Sequence, residues 1–379
     1  MSTSPKPDDI LRRAAAVGTY YGFQSLATAT ANNKGKGAKA GYPENLNVDL
    51  LDASGKEVAG FLKHVRDAGL TPTTAQPLFL WHSNAARGRA APKQIIIQFH
   101  AIGAERSIAD AVLMRAVRSL MQDLTKSDLT LRINSMGDKE TRSRFARELT
   151  QFFRKQGGAL PENCVLKAKQ DVLEAAELLN EACVASVPSP TDHLSEASRK
   201  HFEGVLEYLE STDTPYELAP EMLSRGTTWT ETCFEILGDE AVSAWGSRYH
   251  DLAKAFFKSN LPSVGAVIRI TASDREIIPA AKNGTAPRFF FVHIGDEAKR
   301  ESIKMADHLR KAKIPLHQSI GIESLGEQMR FVETVNPPYV LIMGRKEALE
   351  RSVILRNRNT YTETSIPLDS LVEHLKTVA

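Results

Sequence analysis

Residues 288–300 read RFFFVHIGDEAKR, and residues 339–343 read YVLIM. The first stretch is a run of apolar β-formers, then a glycine, then a polar segment whose apolar positions return at helical spacing, the pattern of strand, turn and helix in succession. It continues as a strand from Arg288 to Ile294, a turn at Gly295, a helix from Asp296 to Lys313, a short strand from Pro315 to Gln318, a helix from Ser324 to Thr334 and a strand from Tyr339 to Met343. Such alternation predicts a small, independent α/β unit. Lys282, Asn283, Gly284, Thr285 and Pro287 have the composition of a linker, which places the division between residues 285 and 286.

Upstream the pattern differs. Ile95, Ile96, Ile97, Gln98 and Phe99 form a strand-like run, and Ile108, Val112, Ala116 and Leu120 mark the apolar face of a long helix opening at Ser107. A strand is expected from Leu129 to Ile133, then a helix from about Lys139 to Lys155 with Phe145, Leu149, Phe152 and Phe153 inward. A charged helical segment spans Leu166 to Ala182, Pro188 and Pro190 break the chain, and a further helix runs from Ser195 to Leu209. Thr232 to Leu237 and Val264 to Ile270 read as strands. Strands joined by such long connections predict an antiparallel or mixed sheet with flanking helices. The Lys34, Gly35, Lys36, Gly37, Lys39 stretch reads as a plain loop, because no strand leads into it and no Gly-Lys-Ser/Thr closes it.

With 379 residues, 42% hydrophobic and 25% charged, the chain has room for two cores. Its 48 basic and 46 acidic residues leave a formal charge of +2, so no global field attracts nucleic acid and any such partner must be held by a local patch. Cys164, Cys183 and Cys233 support neither a disulfide framework nor a zinc knuckle, and no protein-bound metal is expected. His82 and His100 lack an acid or cysteine spaced to complete a ligand set, and Cys233, inside an apolar strand, reads as core. Met1 to Ile10 lacks the apolar run of a secretory signal, and no segment approaches the roughly 20 apolar residues of a membrane helix. A soluble, cytoplasmic protein with no membrane partner is expected.

Three stretches carry a resemblance. The first is Ile133-Asn134-Ser135-Met136-Gly137-Asp138, followed by Arg142, Phe145 and Leu149. The second runs from Pro188 to Pro220, with His201-Phe202 on its helix and Tyr216 beyond. The third is Leu223-Ser224-Arg225-Gly226, then Thr232 and Phe234-Glu235. Gly246, Arg248 and Tyr249, then Pro262, Val264 and Gly265, follow in order. Together they resemble the histidyl-tRNA synthetase family of class II aminoacyl-tRNA synthetases, its bacterial branch in particular, over roughly residues 95 to 379. The terminal unit, with Gly295, Lys304, Leu309 and Gly344, is similar to that family's anticodon-binding domain.

The resemblance implies a class II synthetase-like antiparallel sheet with flanking helices over 1–285, including a helical insertion near 160–215, and an anticodon-binding-like α/β domain over 286–379. It implies a homodimer with tRNA as partner and, if the chain is active, histidine and ATP with Mg2+ as substrates and cofactor. In that mechanism Arg225 would stabilise the reacting carboxylate and α-phosphate, with Gly226 allowing close approach, while Glu235 would order the site. Arg248, Tyr249 and Arg269 are further substrate or ATP contacts, and Arg87 and Arg89 are replacements for a lost arginine. Arg345, Lys346, Arg351, Arg356 and Arg358 would hold tRNA, with Tyr339 and Tyr361 available for stacking. The bland readings stay open beside these: Arg225 pairing with Glu221 or Glu235, Arg248 bracing the sheet, and the C-terminal charges forming a solvated face.

The resemblance also exposes losses. The position of the arginine that grips the α-phosphate falls near Trp81 or His82, and its following Gln and Glu fall near Ile96 and His100. The histidine signature reads Thr227, Thr228, Trp229 and Thr230 where the family has Leu-Asp-Tyr-Tyr, and the last motif's glutamate and arginine fall at Thr271 and Ala272, with Arg269 and Arg275 nearby. Adenylation sets a carboxylate against a triphosphate, which calls for planar, permanently charged forks, and removing one preorganised donor costs about 10²- to 10³-fold in rate. Two functions therefore stand: a histidine–tRNA ligase, or a paralogue that keeps the fold and binds tRNA or regulates without catalysis.

Overall fold

The computed structural model describes residues 7–33, 41–84, 94–125, 127–156, 158, 160–179, 187–223, 229–238, 242–271 and 288–378. Its first sheet has eight strands in the order β1-β2-β3-β8-β7-β6-β4-β5. In chain order these are β1 (Gln24–Ser25), β2 (Leu78–Ser83), β3 (Gln94–Ile102), β4 (Thr130–Ser135), β5 (Glu217–Leu218), β6 (Thr230–Leu237), β7 (Val242–Arg248) and β8 (Ser263–Thr271). Every pair from β2 across to β4 is antiparallel, and only the two-residue strands at the edges pair in parallel.

The period of two in a strand sorts side chains between the faces. Ile95, Ile97, Phe99 and Ala101 of β3 are paired with Ile270, Ile268, Ala266 and Val264 of β8, and all eight are buried in one core. Over that face lies the helix expected from Ile108, Val112, Ala116 and Leu120. It spans Ile108–Leu124 and buries nearly all its residues. Pro7–Tyr20 (α1) packs beside it; Leu26–Asn32 is α2, Ala53–Asp67 is α3 and Ile108–Leu124 is α4.

The opposite face carries Ile96, Gln98, His100 and Ile102 of β3 with Val267 and Arg269 of β8. Among the described residues, α3 and the helix at His250–Phe257 cover it, with Leu26 and Ala29 of α2 in the same buried cluster. In α3 the side chain of Asp52 accepts from the Gly55 amide at 2.7 Å to start the helix, and Val58, Phe61, Leu62 and Val65, at helical spacing, point down. His250–Phe257 adds Leu252, Ala253 and Phe256.

The helix at Lys139–Gln156 (α5) starts where Gly137 takes φ of 61° and Asp138 accepts from the Thr141 amide at 2.8 Å. Phe145, Leu149, Phe152 and Phe153 are buried as their spacing predicts, in a separate cluster with Met136, Cys164 and Cys233. Among the described residues, the single helical segment expected over Leu166 to Ala182 is instead broken between α6 (Glu162–Ala168) and α7 (Val172–Glu177), and Asn180 to Ala182 lie outside those residues. The Asp171 side chain accepts from the Leu173 and Glu174 amides, so it begins a new helix where the sequence pattern suggested a continuous one. The helix expected from Ser195 is α8 (Glu196–Ser211), capped by the Ser195 hydroxyl, and His250–Phe257 is α9.

The second sheet runs β10-β9-β11-β12-β13. Its strands are β9 (Phe289–His293), β10 (Leu316–Gln318), β11 (Tyr339–Met343), β12 (Ser352–Asn357) and β13 (Glu363–Pro367). Its helices are α10 (Asp296–Lys311), α11 (Leu325–Val335), α12 (Arg345–Leu349) and α13 (Leu368–Val378). The strands and helices expected from the alternation after residue 288 are all present, β11 at the residues anticipated. No helix among the described residues is long and apolar enough to cross a membrane.

Candidate functional site on the second face of the large sheet

His100 occupies the middle of this face and is fully buried. Its ring stacks on Phe61 of α3 with centroids 3.9 Å apart and planes 15° from parallel. Nδ1 lies 2.9 Å from the Tyr249 hydroxyl, and Nε2 lies 3.1 Å from Gln98 Oε1. Burial pushes the imidazole pKa well below its ordinary value and raises that of the Tyr249 phenol well above its own, so both rings are neutral near pH 7. Oε1 of Gln98 can only accept, which assigns the proton to Nε2 and makes the tyrosine O–H the donor to Nδ1.

Around this triad the face is filled with carbon. Trp229, fully buried, meets Trp245 edge to face with centroids 4.5 Å apart. Leu80, Ile102 and Val267 complete the floor beneath Phe61, Leu62 and Val65. At the rim, the His82 ring lies 6.4 Å from Phe61 and 5.7 Å from His64. Among the described residues, no group of three or more His, Cys, Asp or Glu side chains is arranged to hold a metal ion.

The expected substrate contacts are placed as follows. Arg248 is buried, and its guanidinium is engaged inside the protein. Nε sits 3.0 and 3.1 Å from the Asp110 carboxylate, while Nη1 and Nη2 donate to the carbonyls of Ala104 and Arg106. Burial alone would raise the Asp110 pKa, but Arg248 and His201, whose Nε2 is 3.3 Å away, hold it well below the ordinary carboxylate value. Tyr249 is the buried partner of His100. Arg269 donates to Ser54 and to Glu57, each at 3.1 Å, which ties β8 to the first turn of α3. Desolvation raises the Glu57 pKa in spite of that partner.

Glu235 and Glu221 both accept from Arg132 of β4. Arg225, Gly226, Arg87, Arg89, Arg275 and the basic loop from Lys34 to Lys39 lie outside the described residues, as does the division at 285 and 286. A cavity of about 420 Å³ is lined by Asn45, Leu46, Lys139, Arg142, Asp251, Leu252 and Ala255. None of the expected contacts lines it.

In the C-terminal unit each expected tRNA contact has an acidic partner. Arg345 pairs with Glu297 at 3.2 Å, Lys346 with Glu350 at 4.0 Å and Arg351 with Asp369 at 2.9 Å. Arg356 donates to Glu363 at 2.7 Å, and Arg358 donates to Glu333 at 2.6 Å and to Asn336. Exposed pairs of this kind are screened by water and salt and contribute little to stability, so a phosphate can replace the acid at little cost. Tyr339 is occupied, stacked on Phe289 at 5.5 Å. Tyr361 differs: it is 81% exposed, at the β12–β13 turn, with φ of 58°.

Phe61, Gln98 and Asp110 were not anticipated. Val58, Phe61, Leu62 and Val65 do show helical spacing, which is a readable signal for α3. Gln98 stands two residues before its partner His100 on β3, so strand alternation alone puts both on one face, whereas nothing local to Asp110 announces Arg248, which comes from another element.

The chain matches the anticodon binding domain family over residues 277–377. It is 27% identical over 287 residues to the histidine–tRNA ligase of Caldanaerobacter subterraneus subsp. tengcongensis, covering 72% of this chain and 68% of that protein. It is 26% identical over 341 residues to the histidine–tRNA ligase of Desulfatibacillum aliphaticivorans, covering 86% and 80%. The crystal structure of apo S. aureus histidyl-tRNA synthetase aligns over 99% of this chain and 98% of its own, with a TM-score of 0.49 and 21% identity.

Proposed function

We propose that this chain, a histidyl-tRNA synthetase-like member of the class II family, binds tRNA through its C-terminal unit and forms no histidyl-adenylate. The observation that carries the second half is the packing at His100. Where the family resemblance puts an acid facing substrate, there is a neutral imidazole sandwiched between Phe61 and the strand below, with both nitrogens engaged. Substrate would have to displace Phe61, and of the expected contacts Arg269, on this face, is already committed to Glu57, while Arg248 points to the opposite face of the sheet and pairs with Asp110 of α4. The described acids of the face do not fit a Mg2+–ATP complex either, since Glu57 and Glu235 each have an arginine partner.

The first half is supported by the match of the terminal unit to the anticodon binding domain family. Residues 288–378 carry 14 basic and 12 acidic side chains, so affinity would depend on a few local contacts rather than on overall charge. Arg356, in β12, and Arg358, on the β12–β13 connection, lie just before Tyr361, and an exposed ring with two arginines a few residues upstream suits an unstacked base with its phosphates. A homodimer belongs to the same reading.

The catalytic alternative rests on Arg225 and Gly226, with Arg87 and Arg89 replacing the lost arginine. Two assays on the purified full-length protein separate the readings. Histidine-dependent exchange of pyrophosphate into ATP is expected to be absent, while filter binding retains tRNA with an affinity that falls steeply with salt. Exchange that is abolished by Arg225→Ala would establish the ligase, and failure to retain tRNA at low salt would defeat the RNA reading.

A further inference from the structure

We infer that the two sheets are one cooperative folding unit, so that the C-terminal unit does not open apart from the core and a ligand on one protects the other. Units joined through modest polar interfaces move relative to one another by default; a large apolar seam is the exception. Here one buried apolar cluster runs across both sheets. It includes Ile10, Ala14 and Val17 of α1, Val112 and Val117 of α4, Phe289 and Phe291 of β9, and Leu309 of α10. Helix α1 is the shared element: it packs on β1, β2 and α4 on one side and on β10 and α10 on the other.

Polar groups seal the same seam. Gln318 Nε2 of β10 donates to the Tyr20 carbonyl at 2.5 Å, and Arg310 of α10 donates to Asp123 of α4 at 2.6 Å. Arg115 of α4, 8% exposed, reaches Asp307 of α10 at 3.4 Å while Nη1 donates to the Thr212 carbonyl and the Thr214 hydroxyl. Lys299, only 1% exposed, pairs with Glu323, which also accepts from Arg106 of the core at 3.0 Å. Pulling the units apart would expose apolar surface and strand buried charges together, both of which are costly.

Native-state hydrogen exchange on the full chain tests this through the slowest amides of β3 and β8 in one sheet and of β9 and β11 in the other. Leu371 of α13 is fully buried and belongs to the same cluster, on the C-terminal unit. Leu371→Ala is expected to speed exchange by about 30-fold or more in both sheets, because truncating a buried leucine lowers the global stability that gates these amides. Acceleration confined to β9 and β11, with β3 and β8 at their original rates, would overturn the inference. If Leu371→Ala does not fold, the milder Ile366→Val gives the same comparison at roughly 2- to 10-fold. The ligand half rests on the RNA reading: saturating tRNA is expected to slow β3 and β8 by the same factor as β9 and β11. Slowing limited to β9 and β11 would defeat the coupling, whereas loss of tRNA retention in the filter assay defeats the RNA reading and leaves the variant comparison standing.

Discussion

Arg248 shows why a residue's type and position do not settle its use. In the sequence it stands between the Gly246 position and Tyr249, equally suited to a substrate carboxylate or to bracing. Its actual partner, Asp110, lies 138 residues away. Arg248→Ala would leave that carboxylate buried without its countercharge, and a loss of about 3–5 kcal/mol is expected, read from the denaturation midpoint. Gly265, on the other face of the sheet, is constrained by packing: a Cβ there would run into the His100 ring and Tyr249. Gly265→Ala is expected to destabilise the protein by roughly 1–3 kcal/mol through overpacking, with near-ultraviolet dichroism as a second readout of displaced aromatics.

At the scale of the element, α3 decides what the second face can do. Phe61→Ala removes both the stacking partner of His100 and the roof of the face, and a loss of about 3–5 kcal/mol is expected. If the variant folds, it is still expected to show no pyrophosphate exchange, since it restores space and not the missing charges. Activity gained on opening the face would mean that Phe61 alone blocks a competent site. The cap is a smaller, independent contribution: Asp52→Ala should cost about 1 kcal/mol. Helices with regular apolar spacing, such as α4 and α5, are legible in the order of their residues. The break between α6 and α7 is not, because it depends on whether one aspartate side chain turns back onto the backbone.

For the whole molecule, burial of neutral histidines sets the acid limit. His293 is fully buried, and desolvation, aided by Lys299, pushes its pKa down to about 3, while His100 is depressed by burial and by His82. A depressed folded pKa means that the unfolded chain binds protons first, so stability is full above about pH 6.5 and falls as the pH drops below it. By pH 5, His293 alone should account for about 2 kcal/mol, with His100 adding in the same direction. Melting temperatures measured across pH 4.5–7.5 are expected to decline from about pH 6.5. A curve flat down to the carboxylate range would show that these rings are already protonated, or hydrated, in the folded state.

What could be read from the residues was whatever depends on short range: strand and helix periods, the mixed sheet, the later α/β alternation, the motif order that carries the family resemblance, and the absence of charged residues where the family has them. Folding was needed for everything that depends on partners distant in the chain. Only the packed chain shows that Asp110 claims Arg248, that Phe61 covers His100, and that α1 joins the two sheets where the sequence suggested an independent terminal unit. The reason is physical. Backbone propensity and periodicity act over a turn or two of chain, whereas burial, charge pairing and closure of a face are set by which surfaces meet when the elements pack.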